Sequence, residues 1–364
     1  MSGPLSTSSP RSATGPRSAT GPQSTNGAAR YFPGSLIDIA YALPERVLTN
    51  AQLAAEFPGW NVAQTEKRTG VYERRIARPD ETAYDLALQA TRQLLDRHPG
   101  LAGKLDAIVF CTQSPDLVMP SNAFLLQRDL QLGTGVLAFD YNLACSGFVY
   151  GLLMASSFIA TGVARNVLVV TADTYSKHIA PSDRATRMLF GDGAAATWVA
   201  AVGPSDEPPL IAEFTDFLCA SDGSGWNRFY VKSGASRQPA SQAGAPDYND
   251  KIQMDGLQVL NFVGDRVVGQ VNSLLQQHGL TPPQVDQFFL HQASRLALDA
   301  LSRKLGLAPG QVCSNLARIG NTVSASLPIL IKDHFSQATV APGSRLLLCG
   351  YGLGYSWGSL LARR

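Results

Sequence analysis

From Ser35 onward the chain carries two kinds of hydrophobic pattern. Short unbroken apolar runs at 106–112, 137–141, 167–172 and 194–201 predict buried strands. Stretches whose apolar positions recur every three or four residues, at 83–97, 121–132 and 145–162, predict helices. Strands alternating with helices predict a layered α/β protein with a mostly parallel sheet. Residues 141–164 lack any charge and so resemble a membrane span. They also include Asn142, several Ser and Thr, and the small residues Ala144, Ser146, Gly147 and Gly151. A span needs about 20 predominantly apolar residues, so a buried core helix is predicted instead.

The pattern repeats. A shift of 180 residues sets 91–114 against 271–294 and aligns Leu94-Leu95 with Leu274-Leu275. The same shift aligns His98 with His278, Asp106 with Asp286 and Ser114 with Ser294. The strand AIVFC at 107–111 falls on QFFLH at 287–291, and near the same offset VLVVTAD falls on RLLLCGYG. Two similar halves, about 31–205 and 206–364, are expected to pack as one five-layered unit.

Residues 1–30 contain the hexapeptide RSATGP twice in tandem and little apolar side chain. Such a segment cannot bury enough area to offset its ordering entropy and is expected to be a disordered tail. An organelle transit peptide is the alternative, weakened by the lack of an amphipathic face. The tail holds Arg11, Arg17 and Arg30 and no acid, so 27 basic and 28 acidic residues remain in the rest. That balance gives no support to nucleic-acid or anionic-membrane binding. Residues 221–249, rich in Ser, Gly, Ala, Asp and Pro, are expected to form a long surface loop.

Five cysteines, odd in number and without CxxC spacing, point to a reducing, cytoplasmic compartment. Cys145 follows the strand LAFDY and opens the uncharged helix, where a helix N-terminus favours thiolate. His291 ends the strand QFFL, at the carboxyl end where α/β folds bind ligands. Asn321 stands in RIGNTVSAS before a small-residue helix. Each has a bland alternative: an inert buried cysteine, a core histidine, a helix cap. The runs GYGLGYSWG at 350–358 and FGDGAAA at 190–196 match neither a P-loop nor a dinucleotide fingerprint. They predict turns that bring backbone close to a ligand. No metal-ligand spacing is present, so no metal is expected.

Taken together, DYNLACSGFVYGL, FFLHQAS, RIGNTVSAS and GYGLGYSWGSLL resemble the thiolase-fold condensing enzymes of the 3-oxoacyl-acyl-carrier-protein synthase III family. The resemblance covers about residues 35–364. It implies two duplicated βαβαβαββ halves in a five-layered αβαβα unit. Cys145 would carry the acyl group as a thioester. His291 and Asn321 would hold the carbonyl oxygen of a malonyl thioester, and the backbone N–H groups of Cys145 and Leu353 would form an oxyanion hole. The resemblance further implies an acyl-CoA and malonyl-acyl carrier protein as substrates, no permanently bound cofactor, and a homodimer. Arg68 and Arg184 match coenzyme A contacts. The adenine-stacking tryptophan of relatives would lie at position 64, which is Gln64, with Trp60 four residues earlier. Met119 matches an aromatic residue that caps the partner's acyl pocket, and its flexibility predicts acceptance of chains longer than acetyl. Arg295, Arg303 and Lys304 match a basic patch that docks acyl carrier protein, with a solvated helix face as the alternative.

Ser294 stands where relatives have Asn, Arg295 lies one position early, and the glycine triplet reads Gly352-Leu353-Gly354. These departures and the tail point to a specialised relative. Two other readings remain open: acyl transfer to an O or N acceptor without decarboxylation, and a non-catalytic partner subunit. The intact Cys-His-Asn set argues against the second. A papain-like hydrolase fits the residue types alone but not the α/β repeat.

Overall fold

The computed structural model describes residues 32–201, 211–240, 248–352 and 354–364. The tail expected at 1–30 and the division expected at 205/206 lie outside the described residues. Through Ala200 the strands are β1 (Ser35–Ala42), β2 (Val47–Thr49), β3 (Glu73–Arg75), β4 (Ala107–Cys111), β5 (Leu137–Tyr141), β6 (Asn166–Asp173) and β7 (Gly193–Ala200). The helices there are α1 (Asn50–Glu56), α2 (Val62–Thr69), α3 (Ala83–Arg97), α4 (Asn122–Asp129), α5 (Gly147–Ala160) and α6 (Arg184–Arg187). Beyond them lie β8 (Ala212–Ser221), β9 (Phe229–Val231), β10 (Ile252–Met254), β11 (Gln287–Leu290), β12 (Arg345–Gly352) and β13 (Ser356–Arg363). Their helices are α7 (Gly256–Phe262), α8 (Val268–Gln277), α9 (Arg295–Leu305), α10 (Leu316–Ile319) and α11 (Ser326–Gln337).

Nine strands form one sheet in the order β11-β12-β13-β8-β1-β7-β6-β4-β5. The sequence predicts a mostly parallel sheet, but only β11/β12, β6/β4 and β4/β5 are parallel. Hairpin-like returns at β7 and β13 make the rest antiparallel. Two residue pairs, Ser35–Glu213 and Leu36–Ala212, join β1 to β8.

α5 packs on β4, β6 and β7 on one side and on β12 and β13 on the other. α11 likewise touches β1, β7 and β11. α3 covers the outer face of β1, β6 and β7, while α8 covers β8 and β13. The result is five layers, αβαβα, with separate apolar clusters in the central helix layer and under each outer one. An unpaired charge on a helix packed between β4/β6 and β12/β13 would be costly to bury, which accounts for the uncharged sequence of α5. Among the described residues no helix is long and apolar enough to cross a membrane.

The 180-residue offset has a visible counterpart. His98 caps the C-terminus of α3 and its Nε2 lies 2.9 Å from Asp38 of β1. His278 caps the C-terminus of α8 and lies 3.0 Å from Asp216 of β8. The described residues of the expected 221–249 loop include the strand β9. β9 pairs with β10, with Phe229 opposite Met254. A three-residue strand is too short to leave a periodic signal.

Candidate active site

Cys145, His291 and Asn321, which are 176 positions apart at most, line one cavity of about 130 Å³. Most of its wall is apolar, including Leu189, Met254, Val259 and Leu260. Each polar member is held by its backbone. Cys145 sits in the turn between β5 and α5, 6% exposed, with the helix starting at Gly147. The end of β12 presses on this turn. A Cβ on Gly352 would lie 3.0 Å from the Cys145 Cβ and 3.4 Å from its Sγ. A Cβ on Gly350 would lie 2.7 Å from the Cys145 carbonyl oxygen. The terminal glycine run therefore serves close approach of β12 to the nucleophile's turn. Leu353 lies outside the described residues.

Burial pushes the Cys145 thiol up, and the nearby Asp173 carboxylate adds to the effect. The sequence reading expects the helix terminus to favour thiolate. Desolvation outweighs it here, so the resting group is a thiol.

His291 follows β11. Its N–H donates to the Cys349 carbonyl at 2.9 Å, and its own carbonyl accepts from the Tyr351 hydroxyl at 3.1 Å. Nδ1 lies 2.6 Å from Ser326 Oγ at the head of α11, leaving Nε2 for the cavity. Burial lowers the imidazole to about 3, so the ring is neutral at physiological pH. The 2.6 Å contact allows the Ser326 hydroxyl to donate to Nδ1, and that arrangement leaves the ring proton on Nε2.

Asn321 donates its N–H to the Leu189 carbonyl at 2.8 Å and accepts from the Gly191 N–H at 3.0 Å. Its side-chain Oδ1 accepts from the Val323 N–H at 2.9 Å, which aims the Nδ2 amide at the cavity. Gly320 before it has φ 66°, and a Cβ there would meet the Leu189 carbonyl at 2.7 Å.

Asp173 was not singled out by the sequence. It is fully buried at the end of β6 and accepts from the Gln113 N–H at 2.8 Å and from the Ser324 N–H and hydroxyl. It ties the Asn321 loop to the central sheet. Burial, only partly offset by these hydrogen bonds, raises its carboxyl to about 7. Its strand-end position was the one available signal. Phe229 is a second omission. Tyr175, Phe190 and Phe229 form a triangle with ring centroids 5.3, 5.9 and 6.2 Å apart, packed with Cys145 and Ala144. Beyond Tyr175 and Phe229 lies a second cavity of about 910 Å³ that Leu143 and Ala144 also line.

The remaining sequence candidates divide. Arg184 heads α6 and its guanidinium lies 5.8 Å from the ring centre of Trp60. Chain spacing alone left Trp60 doubtful, and the fold sets it against the arginine. Arg68 and Arg303 line one groove between α2 and α9, with Lys67 and Asp299. Arg295 packs over Gly70 at the end of α2. Lys304 lies outside that lining. It donates to the Gly264 carbonyl at 2.9 Å and lies 3.6 Å from Asp265. Met119 is 78% exposed beside Val118 at 94%, away from its own chain's thiol cavity. Among the described residues no group of three His, Cys, Asp or Glu side chains could hold a metal ion.

Comparison with known proteins fits this geometry. Residues 139–223 match the model of 3-oxoacyl-[acyl-carrier-protein] synthase III, and residues 275–364 match that of its C-terminal part. The chain is 39% identical over 315 residues to the beta-ketoacyl-[acyl-carrier-protein] synthase III of Deinococcus deserti, covering 86% of each. A crystal structure of a 3-oxoacyl-(acyl-carrier-protein) synthase III matches with TM-score 0.85 and 39% identity, over 91% of this chain and 100% of that one. The priming beta-ketosynthase of the R1128 polyketide pathway matches with TM-score 0.80 and 27% identity, over 93% and 98%. With this identity spread over most of its length, the chain belongs to the 3-oxoacyl-acyl-carrier-protein synthase III family of condensing acyltransferases, built on the thiolase fold.

Proposed function

We propose that this protein joins an acyl primer to a malonyl thioester by decarboxylative condensation through an acyl-Cys145 intermediate. The observation that carries the reading is the convergence of Cys145, neutral His291 and Asn321 on one apolar cavity. Cys145 Sγ attacks the acyl-CoA carbonyl. The C–S bond to coenzyme A breaks, and the thiol proton leaves with the departing sulfur. Malonyl-acyl carrier protein then enters. His291 Nε2–H and Asn321 Nδ2–H donate to its thioester oxygen. Loss of carbon dioxide leaves an enolate whose oxygen those donors stabilise. The enolate carbon attacks acyl-Cys145, releasing the 3-ketoacyl product and a Cys145 thiolate that takes a proton from water. The apolar wall favours loss of carbon dioxide, because a carboxylate is poorly solvated there.

The oxyanion of each tetrahedral intermediate is assigned to the backbone N–H groups of Cys145 and Leu353. No permanently bound cofactor is needed, and coenzyme A acts only as the carrier of the substrate. Its adenine is assigned to the Trp60–Arg184 pair and its phosphates to Arg68. The groove shared by Arg68 and Arg303 favours docking of an acidic carrier protein, with Arg295 and Lys304 at its margin. A homodimer fits the open edge of β5 and the exposed Leu117–Met119. Met119 of the partner subunit would then cap the acyl cavity. The five free cysteines fit a reducing cytoplasm.

The test is intact-protein mass after incubation with acyl-CoAs of increasing length, on wild type and Cys145→Ala. A stoichiometric adduct on wild type alone, discharged by malonyl-acyl carrier protein with release of carbon dioxide, is expected. Discharge to an alcohol or amine without carbon dioxide would overturn the condensation step, and no adduct from any acyl-CoA or acyl carrier protein would overturn the catalytic reading.

A further inference from the structure

A third cavity adjoins Phe190. It has a volume of about 270 Å³, sits beside the β2–β3 hairpin, and shares only Phe190 with the triad cavity. Four cationic side chains line it: Arg46, Arg78, Lys177 and Arg187. No acidic residue lines it. Its other surface is largely apolar, from Leu48, Ile76, Ile179 and Phe190.

The charges there are only partly compensated. Arg187 bonds Glu56 at 2.7 Å, and Arg78 approaches Asp80 at 3.3 Å and Glu81 at 3.8 Å. Those acids stand outside the cavity wall. Among the described residues, Arg46 and Lys177 have no carboxylate within ion-pair distance, and Lys177 Nζ donates to the Pro79 carbonyl at 2.8 Å. Like charges gathered on one concavity repel unless an anion sits between them. Apolar walls beside the charges lower the local dielectric and strengthen that attraction.

We propose that this cavity binds an amphiphilic anion, with a phosphate or carboxylate head among Arg46, Arg78, Lys177 and Arg187 and a short apolar group against Ile179 and Phe190. The site is distinct from the coenzyme A contacts assigned above, because neither Arg68 nor the Trp60–Arg184 pair lines it. The inference does not rest on the condensation chemistry. Phe190 is the residue its lining shares with the triad cavity.

Calorimetric titration of the full-length protein with phenyl phosphate, benzoate and inorganic phosphate tests it. One saturable site is expected, with inorganic phosphate the weakest because it leaves the apolar wall uncovered. Whichever of phenyl phosphate and benzoate binds more tightly identifies the head group. Arg46 and Arg78 are exposed, so Arg46→Gln and Arg78→Gln should fold normally. Each should weaken binding by about tenfold, as loss of one charge-assisted hydrogen bond does. Arg68→Gln should leave it unchanged, and coenzyme A should not displace the probe. Absence of binding, binding indifferent to Arg46→Gln and Arg78→Gln, or displacement by coenzyme A would each overturn the proposal.

Discussion

The Val323 N–H donates to Asn321 Oδ1 at 2.9 Å from a backbone with φ 54°. A buried β-branched residue in that region is strained, at a cost of order 1–3 kcal/mol. The hydrogen bond formed at that cost holds the Asn321 amide in one orientation, with its donor end toward the cavity. Asn321→Asp keeps the shape and replaces the donor with an acceptor. We expect condensation to fall about 10²–10³-fold, the usual effect of losing one oxyanion donor. Formation of the acyl adduct should persist. Intact mass for loading, and carbon dioxide release for condensation, separate the two steps; equal loss of both would show that Asn321 acts earlier.

His291 gives a signed pH dependence. The buried ring titrates at about 3, against 6.5 for a free imidazole. Between those values the unfolded chain binds a proton that the native state refuses, so stability falls as pH drops from 6.5 toward 3. The full effect is on the order of 5 kcal/mol. Asp173 works in the opposite sense, because its carboxyl is raised to about 7 and the native state gains protons first. Comparison with His291→Asn isolates the first effect. The stability difference between the two proteins should shift against wild type as pH falls from 6.5 to 4. A pH-independent difference would contradict a buried neutral ring.

Cys145 should react as a protected thiol. Because burial and Asp173 push it up, its alkylation by iodoacetamide should keep rising with pH through 7 to 9 without a plateau. A plateau below pH 7 would mean a preformed thiolate.

Gly352→Ala places a methyl 3.0 Å from the Cys145 Cβ. Overpacking of this kind costs about 1–3 kcal/mol. The displaced thiol should be acylated at least about tenfold more slowly. Thermal denaturation and adduct formation measure the two effects; normal acylation would show that β12 does not set the nucleophile's position.

Tyr175 and Phe229 stand between Cys145 and the 910 Å³ cavity. Tyr175→Leu removes ring volume and the hydroxyl that bonds Gln113. Relative loading of longer acyl-CoAs over acetyl-CoA should rise by about tenfold or more, in line with the worth of pocket methylenes. An unchanged chain-length profile would place the acyl group elsewhere.

The parts of this protein that a sequence fixes are local. The run LAFDY, the uncharged helix after it and the strand QFFL are set by hydrophobic period, and each announces its own end. Cys145, His291 and Asn321 each stand where a strand or small-residue helix meets a turn, a local cue that left an inert cysteine, a core histidine and a helix cap open, and only the resemblance carried by the four motifs set them together. The repeat of His98 in His278 was legible because a helix end is a local event. Tertiary structure decided what lies between such points. Phe229 reaches the thiol from a three-residue strand, Trp60 meets Arg184 across 124 positions, and Asp173 bonds Ser324 across 151. No short-range pattern encodes those meetings, because they depend on how the layers stack. The protonation states were decided there as well. A helix terminus visible in sequence favours thiolate, but desolvation at Cys145 and His291 exists only once the chain has closed around them.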